Sequence, residues 1–284
     1  MLGIQPTASR FEHSFGVMCL VRSLGASVEQ QAAALLHDVS HTAFSHIIDL
    51  VFTETARGSF HDDRKEAFVQ GTDIPRICEG YGLDWRSLVD ERRWPLLDQP
   101  APRLCADRID YALRDAMSLQ LASLPEINDL VPHLVVVDGR IAFDDTKAAT
   151  RFATLYLDCD KHYWSSPRQI KFYKLAARAV RRALSLGLLR PPDLWTTDHR
   201  LLGILRASSD PEIQENLDRI AGSTGSGMSS PMEETEIRRK SKSVDPDVMI
   251  DGEMAPLSRL DPQWSSLLKA HVDRRYEELS PEHP

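Results

Sequence analysis

The stretch L-L-H-D-V-S-H-T-A-F-S-H-I-I-D, from Leu35 to Asp49, contains three histidines and two aspartates. Two further segments share this character: R-F-E-H-S begins at Arg10, and A-D-R-I-D-Y-A-L-R-D begins at Ala106. Read in order, they supply one His, an adjacent His-Asp pair and a distant Asp. These four candidate ligands are His13, His37, Asp38 and Asp107.

Two neutral imidazoles and two carboxylates can together hold one divalent cation. Mixed nitrogen and oxygen ligands suit Mn, Fe, Zn or Ni better than Ca, which prefers oxygen alone. A metal that keeps open coordination positions can activate water and neutralise phosphate charge. The sequence therefore predicts one divalent transition metal, with Glu12, Asp49 and Asp110 as nearby acceptors that could orient the imidazoles.

The composition excludes several classes of protein. No apolar run among the 284 residues approaches the ~18 that a membrane span needs, and the first residues lack the pattern of a signal peptide. The four cysteines are widely spaced, and none forms a C-x-x-C pair, which favours reduced thiols. The net charge of −8 argues against general nucleic-acid binding. We therefore expect a cytoplasmic protein outside the membrane, and a homo-oligomer is compatible with the sequence.

The local patterns predict an all-α fold with one small β-hairpin and an irregular C-terminal tail. Ser9 with Glu12, and Ser27 with Gln30, are typical of helix starts. Pro102 should open a long helix that reaches about residue 122. Between 133 and 143, two apolar runs flank Asp-Gly, which is the signal for a tight hairpin.

Along the chain, we expect three regions. Residues 1–122 would form the catalytic core, and 123–205 a helical continuation that includes the hairpin. Residues 206–284 would be a flexible loop and a C-terminal extension. The loop is expected at 221–230, which is rich in Gly and Ser, and the basic run R-R-K-S-K at 238–242 is interpreted as a solvated charge run.

The ordered motifs R-x-E-H-S-x-G-V, L-L-H-D-x-x-H-x-x-F-S-H-x-x-D and D-R-x-D-Y-x-x-R-D resemble the HD-domain metal-dependent phosphohydrolases. The resemblance covers roughly residues 9–120 and is closest to the branch of deoxynucleoside triphosphate triphosphohydrolases. It implies an enzyme in which a metal-activated water hydrolyses a dNTP-like phosphoester, with Asp107 as the fourth metal ligand.

The resemblance also implies roles for other residues. His41, His46 and His61 would line the active site with Asp49, and a His of near-neutral pKa can protonate a leaving oxygen. The predicted substrate contacts are Arg10 and Arg108 to phosphate, Tyr111 to phosphate or sugar, and Asp115 near the sugar 3′ position.

Several alternatives stay open at this point. Some of the histidines could hold a second metal, as in binuclear HD enzymes. The chain could instead be a non-catalytic nucleotide sensor, or an HD phosphatase that acts on nucleoside monophosphates or another phosphoester. A helical scaffold without a ligand fits the density of motifs least well.

Overall fold

The protein is described here by a computed structural model of residues 8–52, 59–222 and 242–279, with the backbone alone for 274–279. It is mostly helical, as predicted, and it divides into two compact units. The helical unit comprises the described residues of 38–82 and 167–222. The sheet unit comprises those of 8–37, 83–166 and 242–279. The linear division at 122 and 205 stays a prediction.

The sheet unit contains eight α-helices and a four-stranded sheet among its described residues. Its helices are α1 (Arg10–Ser23), α2 (Val28–Leu36), α6 (Trp85–Val89), α7 (Ala106–Ser118), α8 (Leu124–Leu130), α9 (Thr146–Cys159), α13 (Leu257–Leu260) and α14 (Pro262–Leu279). Its strands are β1 (Leu134–Val137), β2 (Arg140–Phe143), β3 (Asp247–Ile250) and β4 (Glu253–Pro256). A π-helical turn, Asp160–Trp164, follows α9 directly.

The N-terminal helices start where the capping signals place them. Ser9 accepts from the Glu12 backbone N–H, and the Glu12 carboxylate accepts from the Ser9 backbone N–H, which completes the predicted capping box. Ser27 accepts from the Gln30 N–H at the start of α2. Gly25 follows α1 with a φ of +80°, a conformation that glycine adopts without strain.

The sheet corrects the predicted fold class, because it contains more than one hairpin. The predicted hairpin is present, and both Asp138 and Gly139 have positive φ, as a tight turn between twisted strands requires. A second hairpin joins β3 to β4 through Asp251 and Gly252, and β3 pairs in parallel with β2. The tail is therefore not irregular, and "all-α" is only approximate. The missed signal was a second Asp-Gly between two short apolar runs.

The helical unit consists of the remaining helices around one apolar core. They are α3 (Ile47–Phe52), α4 (Lys65–Gln70), α5 (Ile74–Gly80), α10 (Pro167–Ser185), α11 (Asp198–Ala207) and α12 (Pro211–Gly222). The long helix α10 packs against α3 and α12, and it buries Leu175 and Val180 in that core. None of the helices in the described part of the chain is long and apolar enough to cross a membrane.

Two helix boundaries differ from the prediction. Helix α7 begins at Ala106 rather than Pro102, because Cys105 still has extended backbone, and it ends at Ser118. Helix α12 lies within the region expected to be a loop and extension, and it includes the first two residues of the predicted loop. The rest of that loop and residues 238–241 of the basic run lie outside the described residues. The last residue of the run, Lys242, is described.

Candidate metal centre

Three helices of the sheet unit bring His13, His37 and Asp107 together. His13 lies on the inner face of α1, His37 caps the C-terminus of α2, and Asp107 lies in the first turn of α7. Helix α1 packs against both α2 and α7. The His13 Nε2 atom is 3.0 Å from Asp107 Oδ1 and 3.3 Å from His37 Nε2, although His13 and Asp107 are far apart in the sequence.

The outer nitrogen of each imidazole is fixed by a hydrogen-bond acceptor. His37 Nδ1 donates to the carbonyl oxygen of Ala34 over 2.7 Å, within its own helix turn. His13 Nδ1 donates to Asp110 Oδ2 over 2.8 Å. A carbonyl or a carboxylate can only accept, so both Nδ1 atoms carry a proton. In each neutral ring, the lone pair therefore lies on Nε2.

This arrangement fits a metal ion. Two Nε2 lone pairs and the Asp107 carboxylate oxygen, which lies 3.6 Å from His37 Nε2, face one another. Three electron-pair donors at such distances repel unless a cation compensates them. The donor set of two imidazoles and a carboxylate is the kind that divalent transition metals prefer. Asp38, the fourth predicted ligand, is bonded directly to His37 and is the first residue of the helical unit's main segment.

Asp110 orients the His13 ligand and is itself held in place. Its Oδ2 atom also accepts from Arg114 Nε over 2.6 Å, and Arg114 donates to the carbonyl oxygen of Glu12. Gly16 is necessary for this packing, because a methyl group there would overlap the Asp110 carboxylate and the Arg114 guanidinium. Of the three acceptors considered from the sequence, Asp110 is therefore the one that binds a ligand imidazole.

The roles of Arg114 and Gly16 were missed in the sequence. Both lie within the recognised motifs, but nothing in the spacing indicates that they touch. Their contact depends on how closely α7 approaches α1, which local patterns do not encode.

The helical unit contains a second cluster of ionisable groups. His41 Nε2 lies 3.2 Å from Asp38 Oδ1, and the His41 ring stacks on His61 with centroids 3.5 Å apart. His46 Nδ1 lies 3.3 Å from Asp49 Oδ2, and the other Asp49 oxygen accepts from the Phe60 backbone N–H over 2.7 Å. The predicted catalytic residues of this unit are thus neighbours.

The loop that carries these histidines is anchored within its own unit. Ala43 N–H donates to the Leu194 carbonyl oxygen, and Phe44 N–H donates to Asp198 Oδ1. Trp195 Nε1 donates to the carbonyl oxygen of Ser40. Phe44 and its neighbour have positive φ, which is costly for residues other than glycine and persists only where the surroundings enforce it.

Charge is unevenly distributed over this cluster. Burial, together with the nearby His41, lowers the pKa of His61 to about 4, so His61 is neutral at neutral pH. Burial raises the pKa of Asp49, but the hydrogen bonds from His46 and the Phe60 N–H outweigh it and lower that pKa overall. His41 Nδ1 is buried, and no described residue gives it a hydrogen-bond partner.

Three of the predicted substrate contacts have hydrogen-bond partners within the protein. Arg108 donates to the Gln99 and Arg103 carbonyl oxygens. The Tyr111 hydroxyl lies 2.6 Å from that of Tyr156, and burial raises the pKa of Tyr111. The buried Asp115 carboxylate accepts from Trp164 Nε1 over 2.6 Å. Arg10 is half-buried in the first turn of α1, one turn before His13.

Comparison with known proteins agrees with this chemistry. Residues 10–91 match the HD domain family. The chain is 34% identical over 280 residues to the metal-dependent phosphohydrolase cns2 of Cordyceps militaris, covering 95% of this chain and 80% of that protein. It is 37% identical over 244 residues to the uncharacterized protein YdhJ of Bacillus subtilis, covering 86% of this chain and 75% of YdhJ. The chain therefore belongs to the HD-domain metal-dependent phosphohydrolases and is a hydrolase that requires a divalent metal.

Proposed function

We propose that this phosphohydrolase acts on a nucleotide, and that a dNTP-like phosphoester is its substrate. The observation that carries the proposal is the convergence of the His13 and His37 lone pairs with Asp107. The order of the three motifs supports the nucleotide substrate by resemblance. Arg10, one turn before His13, is the proposed phosphate contact of this helix.

The proposed ligands of a single metal ion are His13, His37, Asp38 and Asp107. The chemistry of the donor set favours Mn, Fe, Zn or Ni. When bound, such a metal makes a nucleophile available at neutral pH and neutralises charge on the phosphate. Asp38 also lies 3.2 Å from His41 Nε2 through its Oδ1 atom.

We assign the proton donor to His41. In the reaction, a water oxygen bonds to phosphorus, the phosphoester P–O bond breaks, and the leaving oxygen takes up a proton. The Asp38 carboxylate lies 3.2 Å from His41 Nε2, and the buried Nδ1 is the atom that would deliver the proton. His61, which stacks on the His41 ring, stays neutral at neutral pH because of its lowered pKa.

His46, with Asp49, is the second candidate for the acid. The His46 side chain is 59% exposed, whereas that of His41 is 5% exposed. A solvated imidazole is a weaker choice, because water competes for its proton and screens its charge.

A nucleoside monophosphate, or another small phosphoester, is the second candidate substrate. It is favoured by the protein contacts of Arg108, Tyr111 and Asp115, which already have the partners described above. A triphosphate would need these side chains, or others, to turn towards it. Asp38, His41 and His61 also lie close enough together to share a second metal.

The test uses metal-loaded protein with dNTPs, NTPs and nucleoside monophosphates, following nucleoside, phosphate and triphosphate separately. Nucleoside plus triphosphate supports the dNTP substrate. Phosphate released from monophosphates alone, or turnover of non-nucleotide phosphoesters alone, would replace the dNTP by the second candidate. Our proposed location is the cytoplasm, which is supported by the four free thiols.

A further inference from the structure

The most unusual buried charge in the helical unit is Lys65. It is the first residue of α4 and only 5% exposed, and it is the one lysine or arginine classed as buried among the described residues. Lysine is almost never this buried unless it has a specific partner or function, because removing an ammonium group from water is costly.

Lys65 is linked to the histidine cluster through Asp62. Its Nζ lies 3.3 Å from Asp62 Oδ1, and the same oxygen lies 3.3 Å from His61 Nε2. His61 lies one helical turn before Lys65 and stacks on His41. A fixed cation therefore adjoins the groups to which we assign the proton transfer.

A second observation indicates that a ligand belongs in this cluster. His41 Nδ1 is buried and has no hydrogen-bond partner in the described part of the chain. Buried polar atoms normally have partners, and an exception within an enzyme site is expected where a ligand supplies one. The Asp38, Asp49 and Asp62 carboxylates also adjoin these groups, so net charge alone does not select the ligand. Phosphate, which a phosphohydrolase meets in every turnover, can accept from both an ammonium and an imidazole N–H.

We propose that Lys65 binds the phosphoryl group of the substrate, and the phosphate product, at the His41–His61 pair. Its ammonium would donate to a phosphate oxygen while remaining beside Asp62. The inference needs only the phosphohydrolase activity and does not depend on the nucleotide substrate. It can therefore hold even if the proposed nucleotide is wrong.

The alternative role for Lys65 is to position His61 through Asp62, and three variants separate the two. Lys65→Met removes the charge at similar length, and the remaining Asp62 carboxylate, which is 53% exposed, stays solvated. Asp62→Asn removes the carboxylate charge that lies between Lys65 and His61 and leaves the ammonium. Lys147→Met is the matched control, since Lys147 is an exposed lysine of the sheet unit.

The experiment is calorimetric titration of each metal-loaded protein with inorganic phosphate at pH 8, after metal content is shown to be equal. We expect Lys65→Met to weaken phosphate binding by ~10–100-fold, the range for a charged hydrogen bond. Asp62→Asn and Lys147→Met should stay within about threefold of the parent. If Lys65→Met does not fold, Lys65→Arg replaces it and should keep phosphate binding within about tenfold.

Two results would overturn the proposal. Unchanged phosphate affinity in Lys65→Met would remove Lys65 from the phosphate site. Equal losses in Lys65→Met and Asp62→Asn would make Lys65 a positioning residue instead. If Lys65→Arg is used instead, a loss of phosphate affinity greater than tenfold that Asp62→Asn also shows would likewise make Lys65 a positioning residue.

Discussion

Replacing Asp110 by asparagine tests whether the His13 imidazole must be held by a carboxylate. The substitution keeps the size of the side chain, but it removes the charge that accepts the His13 Nδ1 proton over 2.8 Å. The Asp110 side chain is only 11% exposed, so solvent replaces this contact poorly. We therefore expect a loss of metal affinity with the fold retained.

The expected loss of metal affinity depends on which hydrogen-bond acceptor each Asp110 variant leaves for His13 Nδ1. Loss of a partner that orients a ligand imidazole typically lowers metal affinity by ~10–100-fold, or about 1.4–2.8 kcal/mol. Asparagine can still accept through its amide oxygen, so Asp110→Asn should lie near ~10-fold. Asp110→Ala leaves His13 without that acceptor and should approach ~100-fold.

The assay is titration of metal-free protein with Zn²⁺ or Mn²⁺ in competition with a chelator. Asp247→Asn is the matched control, because it removes an Asp–Arg pair with Arg140 in the sheet, at 3.1 Å, that touches no ligand. Thermal unfolding of the metal-free variants reports whether the fold survives. Metal affinity of Asp110→Ala within about twofold of the parent, with Asp107→Ala unable to bind, would refute the orienting role.

Three further predictions concern the same two clusters. Gly16→Ala should lower the free energy of unfolding by about 1–3 kcal/mol and also weaken metal binding, because the added methyl group displaces Asp110. An unchanged melting curve would contradict this packing. His41→Gln should slow kcat by ~10²–10⁴-fold at unchanged metal content, and His46→Gln much less; the reverse order in steady-state kinetics would transfer the acid role to His46. In metal-free protein, the pKa of His61 is about 4 in the folded chain and about 6.5 in the unfolded chain. Between these pH values the unfolded chain therefore binds more protons than the folded chain. The stability that is present above pH 6.5 is lost as the pH falls through this range. Urea unfolding at pH 7 and pH 5 should differ by about 2 kcal/mol more in the parent than in His61→Asn, and an equal difference would show that another group titrates.

The sequence predicts those features that depend on a few neighbouring residues. The Ser9–Glu12 capping box and the Asp138–Gly139 hairpin are present because each is a local hydrogen-bonding or dihedral requirement. The second hairpin had the same signal at Asp251–Gly252. It was overlooked because Pro246, Pro256 and Pro262 suggested an irregular tail.

The features that depend on packing could not be predicted. Arg108 lies in a motif that suggests phosphate binding, but its guanidinium donates to carbonyl oxygens that the chain turns back towards it. The burial of Lys65 and the overlap that excludes a side chain at Gly16 are likewise set by neighbouring helices. Motifs therefore indicate which residues take part, and packing determines which atoms remain available.

The parallel pairing of β2 with β3 also affects how the chain must fold during synthesis. Phe143 is opposite Val248, so the sheet joins segments that leave the ribosome at very different times. Contacts so distant in sequence form slowly, and until β3 arrives, β2 has an open edge that can pair with another chain. A fragment that ends before residue 242 should therefore aggregate, even though it retains the six α-helices described for the helical unit.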